Sequence, residues 1–285
     1  MKIRGGVLIF TLGLAMSGVA SAQAAPSGKN QLSDILARIG NRDLHTHLTA
    51  FNDLMTYVSS EWPKGSPPTG PSDALNNFLT RHPDKADQVK LSLIHLLAEE
   101  NHLFIETKNP PPDSHDEDDV GEYYAELVDT VSSLNDERAI PALAGAMTTG
   151  GMAQRALMKY GDKALQPVLG QLKNPDALVR ATALEMGIAL LEKRSDPTSR
   201  IRIRELIGSS LTDPKPVVRS QAVREIGCLD DRQDFVPILQ QIAKNDPWKL
   251  RGKADDGGDG DEFYPVRFDA RRVLRDIQNN KTCTP

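Results

Sequence analysis

The residues whose types could do chemistry fall in four places. Asp43-Leu44-His45-Thr46-His47 sets a carboxylate and two imidazoles at alternate positions. In a strand such residues point to one side and can share a divalent ion, whereas on a helix positions i and i+2 face apart. The flanking residues decide between these. Leu32, Ile35, Leu36 and Ile39 recur at helical spacing, and a second helical pattern runs from Leu44 to Val58, so the expectation is a helix carrying solvated histidines. Asp255 to Glu262 reads Asp-Asp-Gly-Gly-Asp-Gly-Asp-Glu. With Asp255 as position 1 of a calcium loop, Gly257 takes position 3 and Val266 takes position 12, where a bidentate Glu is required, so a flexible acidic insert is the simpler reading. The third group is Arg180, Arg219 and Arg267, each following a valine. The fourth is Cys228 and Cys283, an even number that invites one disulfide in an oxidising compartment. No zinc-ligand spacing surrounds either cysteine, and no Ser/His/Asp, Cys/His or phosphate-loop pattern stands out. The expectation is therefore a protein with no cofactor and no catalytic residue. Glu99, Glu100, Glu122 and Glu126 read as solvated helix faces.

The elements that position these residues are helices. The chain has 285 residues, 39% apolar and only 5% aromatic, a balance that favours helices packed on helices. Lys2 and Arg4 precede an apolar run from Val7 and a small-residue stretch ending at Ala24, so residues 1–24 read as a signal peptide and the product as exported, periplasmic or secreted, with no membrane insertion after cleavage. Loss of those two cations takes the formal charge from −5 to −7, which disfavours nucleic acid as a partner. Residues 25–120 form a helical N-terminal region with proline-rich loops. Pro63 to Ser72 cannot hold a helix, Asp73 and Asp84 each read as helix caps, Leu103 and Phe104 extend the second of those helices, and Asn109 to Asp119 reads as an acidic linker.

From residue 121 to 280 the chain repeats itself. Pro141, Pro167 and Pro237 each open a Pro-x-Leu helix start. Val179-Arg180, Val218-Arg219 and Val266-Arg267, 39 and 48 residues apart, open the helix that comes next, after turns containing Asp176, Asp213 and Asp246. A period near 40 with two helices per unit is the pattern of an α-solenoid. At these residues, over about 136 to 279, the chain resembles the HEAT-repeat family, including its short-repeat, phycobilisome-lyase-like variety. Met152-Ala153 departs from the Val-Arg pattern, and the helix near Ile203 to Leu211 departs by lacking the initial proline. The resemblance implies that Arg180, Arg219 and Arg267 pair with Asp176, Asp213 or Asp246 of neighbouring units as a structural ladder. It also implies a scaffold that binds another protein, or an accessory, lyase-like protein assisting an enzyme system.

Asp43-x-His45-x-His47 is similar to the metal-ligand motif of amidohydrolases and metal-dependent phosphoesterases, which makes a metal-dependent hydrolase the third reading. No β/α alternation comes after it to supply the other ligands. Trp248, Phe263 and Tyr264 flank the acidic insert and are the candidate partner contacts, with packing on the last helices as the alternative. Residues 281–285 form a short C-terminal tail.

Overall fold

The computed structural model describes residues 28–41, 43–63, 70–102, 117–194, 196–253 and 259–281. The expected signal peptide, Leu103, Phe104, Asp255 and Cys283 lie outside them. The described chain is all-α apart from one hairpin. Helices α1 (Gly28–Ile39), α2 (Leu44–Ser60), α3 (Pro71–Arg81) and α4 (Pro83–Glu100) form the N-terminal region, and α5 (Glu117–Ser133) comes after them. Then come α6 (Ile140–Gly145), α7 (Gly150–Tyr160), α8 (Asp162–Gly170), α9 (Ala177–Glu192), α10 (Pro197–Ser210), α11 (Pro216–Cys228), α12 (Val236–Asn245) and α13 (Pro265–Gln278). Between α12 and α13, strands β1 (Leu250–Lys253) and β2 (Asp259–Phe263) pair antiparallel, with Leu250 opposite Phe263 and Arg251 opposite Glu262.

Local chemistry sets the helix starts. Asp43, Asp176 and Asp196 each cap a first turn by accepting a backbone N–H. Proline occupies the first turn of α3, α4, α6, α10, α11, α12 and α13, where its missing N–H costs nothing. This corrects several expectations. Pro71 and Pro83, not Asp73 and Asp84, open α3 and α4, and the two acids sit inside the first turns. Pro197 opens α10, so the helix expected to lack a proline has one, further upstream. Pro167 lies inside α8, because the single residue Gly161, at φ +58°, turns the chain directly from α7 into a helix starting at Asp162. The end of the expected acidic linker is already helical, since α5 begins at Glu117.

One contiguous core runs from Leu32 to Ile277. α4 packs on both α5 and α6, and Phe51 of α2 meets Tyr123 of α5 edge-on at 5.5 Å. The boundary expected at residue 120 thus falls within α5, and no gap in packing separates the N-terminal region from the helices after α5. Asn101 ties the two parts further: it donates to the Ala142 carbonyl at 3.0 Å and accepts from the Tyr124 hydroxyl at 2.9 Å.

From α6 onward, neighbours in sequence pack in pairs: α6 with α7, α8 with α9, α10 with α11, and α12 with α13. Each second helix also packs on the next one, α7 on α9, α9 on α11, and α11 on α13.

Candidate functional site

The Asp43, His45 and His47 side chains separate rather than converge. Asp43 is the N-cap of α2, and its carboxylate accepts from the Thr46 N–H at 2.9 Å and the Thr46 hydroxyl at 2.6 Å. Those bonds, the hydroxyl first, hold its pKa below the usual carboxylate range. His45 is exposed. His47 is 4% exposed, contrary to the expectation of a solvated histidine. Its Nε2 donates to the Asn41 carbonyl, and its Nδ1 lies against the carboxyl of Glu100, itself 2% exposed. Glu100 is therefore no solvated helix face. Both residues lie on apolar stripes, His47 with Ala50, Phe51 and Leu54, and Glu100 with Leu93, Leu96 and Leu97. A polar residue on such a stripe signals a buried partner, but a partner 53 residues away has no local signature. Among the described residues no three His, Cys, Asp or Glu side chains are placed to hold a metal ion.

The arginines repeat one geometry. Arg180 spans its own preceding turn with Nη1, which donates to the carbonyls of Asn174 and Pro175 at 2.8 and 3.0 Å. Its Nε and Nη2 make a two-pronged fork on Asp213, both at 2.9 Å. Arg219 does the same one unit on: Nη1 donates to the carbonyls of Asp213 and Pro214 at 2.9 and 3.2 Å, and the fork engages Asp246 at 2.8 and 3.0 Å. Asp213 and Asp246 thus each serve two arginines, by side chain to the preceding unit and by backbone to their own. Arg267 donates Nε to the Asp246 carbonyl at 2.6 Å and lies over the Tyr264 ring at 4.1 Å. Asp176 caps α9 through the Leu178 N–H. Both forked pairs are largely shielded, with side-chain exposures of 12% and 14% for Arg180 and Asp213 and 13% and 5% for Arg219 and Asp246. An arginine fork in that setting gives orientation as well as attraction.

The aromatics divide. Trp248 is half-buried and packs on the core, and Tyr264 is engaged by Arg267 and by its own hydroxyl, which donates to Glu262 at 2.8 Å. Only Phe263 is exposed. It is joined by two residues that the sequence did not single out, Leu250 and Phe268. What joins them is the hairpin, whose cross-strand register the dense glycine and acid of the insert conceal.

Cys228 closes α11 and is not a free thiol. Its candidate partner, Cys283, lies outside the described residues, as do Asp255 to Gly258 of the expected calcium loop. A cleft of about 270 Å³ beside Cys228 is lined by Glu192, Ser199, Arg204 and Asp230 among others, and Arg204 is already paired with Asp231 and Asp234. No helix among the described residues is long and apolar enough to cross a membrane.

No family model, no curated protein and no solved structure matches the chain.

Proposed function

We propose that the chain is an exported HEAT-like α-solenoid that serves as a scaffold for a protein partner. The observation that carries the reading is the repeated arginine fork. Arg180 and Arg219, 39 residues apart, grip their own turn by two carbonyls and the next unit's turn by one carboxylate. Such links hold successive helix pairs at one fixed offset. A row of pairs so joined is stiff and presents an extended surface, and that is the means by which solenoids bind other macromolecules. The scaffold reading is preferred to the hydrolase alternative because Asp43 is bonded to Thr46 and His47 lies against Glu100.

The test is chemical crosslinking of the tagged full chain in its source cells, followed by mass spectrometry, beside an unrelated exported protein of similar charge. The expected result is a protein that crosslinks to this chain and not to the control. Recovery of the same proteins by both would overturn the scaffold reading. Protein sequencing of the processed chain checks export: a new N-terminus at Gln23 or Ala25 is expected, and an intact Met1 would overturn it.

A further inference from the structure

The cleft beside Cys228 lies where three segments meet: the end of α9, the first turns of α10 and the turn after α11. Leu191, Ile203 and Leu229 give it an apolar wall, each side chain being more than nine-tenths buried. At about 270 Å³ it is near the lower end of small-ligand pockets, room for an amino acid or a dipeptide.

The charges that line it do not all pair with one another. Arg204 engages Asp231 and Asp234, and Asp196 accepts from the Ser199 N–H and hydroxyl, with Arg194 at 4.0 Å. Arg232, two residues after Asp230, donates instead to the Gly227 carbonyl at 3.0 Å. Arg200 on α10 and Asp230 after α11 both line the cleft, yet neither makes an ion pair or a side-chain hydrogen bond among the described residues. A guanidinium and a carboxylate that share one small cleft without meeting are held apart by the elements that carry them. Glu192, at the end of α9, lies on the carboxylate's side: burial first, and then the charge of Asp230, hold its pKa above the usual carboxylate range. The two carboxylates repel, and a cation placed between them relieves that repulsion.

We infer that this cleft binds a small zwitterion, an apolar amino acid or dipeptide, whose ammonium lies against Glu192 and Asp230, whose carboxylate meets Arg200 and whose side chain rests on Leu191, Ile203 and Leu229. A ligand of one sign satisfies one side of the cleft and leaves the other facing it unpaired, and an uncharged ligand takes water from Arg200 and Asp230 and returns nothing. The cleft needs no protein partner, so ligand binding and the crosslinking test succeed or fail separately.

The experiment titrates the full chain at pH 7 with leucine, phenylalanine and dileucine, read by NMR, beside two capped compounds: N-acetylleucine, which lacks the ammonium, and leucinamide, which lacks the carboxylate. At least one zwitterion is expected to bind with a Kd of about 1 mM or lower, and both capped compounds about tenfold or more weakly. Arg200→Gln should weaken the zwitterion about tenfold and leave leucinamide unchanged. Asp230→Asn should weaken both and leave N-acetylleucine unchanged. A merely structural role of these two exposed residues would not split the compounds in that way, and helical circular dichroism should be the same in parent and variants. Three results would overturn the inference: no zwitterion binding up to about 10 mM, leucinamide binding as tightly as leucine, which would reduce the cleft to an acidic surface that attracts any cation, or zwitterion binding indifferent to both substitutions.

Discussion

Arg219 shows how much one side chain can decide here. It satisfies two turn carbonyls of its own unit, and its fork neutralises the Asp246 carboxylate, which is only 5% exposed. Removing it strands a shielded charge, which costs more than the pair itself contributes. Arg219→Ala should lose about 2–4 kcal/mol in urea denaturation. Arg267→Ala, which gives up one bond to a carbonyl and a ring contact, should lose about 1 kcal/mol. Equal losses would show that the fork has no special weight. Asp213 gives the pH signature of the same ladder. Burial opposes its ionisation, but the hydrogen bonds from Arg180 and the Lys215 N–H, with the charges of Arg180 and Arg219, outweigh that and hold its pKa below the usual range. A carboxylate of depressed pKa stabilises the fold above its unfolded-chain value, about 3.9, and that contribution is lost as pH falls through the folded value. Asp213→Asn should therefore be less stable than the parent at pH 7, by about 1–3 kcal/mol, with the gap closing below about pH 4. A gap that stays constant between pH 7 and pH 3 would refute the assignment.

At the scale of elements, the repeating part of the chain was legible because its signals are local. A proline in a first turn, an aspartate in the preceding turn and a Val-Arg pair are each read within a few residues, and α9, α11, α12 and α13 sit where that pattern puts them, whereas α10 opens at Pro197, upstream of the expected Ile203. What escaped was set at a distance. His47 and Glu100 meet from different helices, and the partnering of Leu250, Phe263 and Phe268 needs the register of a hairpin inside a glycine-rich, acidic stretch. The junction of the N-terminal helices with the rest was equally hidden, and it yields a test. A Cβ on Gly145 would lie 2.3 Å from Asn101 Nδ2 and 2.9 Å from its Cγ. Asn101 cannot simply swing away, because it holds the Ala142 carbonyl and the Tyr124 hydroxyl. Gly145→Ala should cost roughly 1–3 kcal/mol in spite of alanine's better helix propensity. A stabilised variant would mean that Asn101 has room to move. The hairpin is the opposite case, an isolated pair of strands on the surface, and such pairs are marginal by themselves. Limited proteolysis should cut first between Lys249 and Phe263 and leave the helical dichroism intact. Millimolar calcium should give little protection, and strong protection at one equivalent would revive the calcium loop.

At the scale of the whole molecule, α11 and α13 pack closely, and α12 and α13 form the last helix pair among the described residues. A Cβ on Gly227 would stand 3.3 Å from Val273, so the end of α11 lies along the second half of α13. Cys228 is the next residue, and α13 ends at Gln278, five positions before Cys283. That length of chain spans up to about 17 Å, enough to return to the end of α11. A bond between Cys228 and Cys283 would close a loop of 54 residues, enclosing the hairpin and the last helix pair. The chain-entropy account gives such a loop about 4 kcal/mol, an upper figure because strain and residual structure in the unfolded chain subtract from it. It would act where a row of helix pairs is weakest, at the terminal unit that would otherwise fray first. Intact-mass analysis of the exported protein after alkylation without reductant decides the pairing: no alkylated thiol is expected, and two would end the proposal. Cys228→Ser and Cys283→Ser should then each lower stability by roughly 2–4 kcal/mol, and a reductant should lower the parent by the same amount while leaving both variants unchanged. The expected loss is local first, with hydrogen exchange quickening in α12 and α13 before α9. Uniform quickening along all the helices would place the cysteines' contribution in the global transition rather than in the last unit.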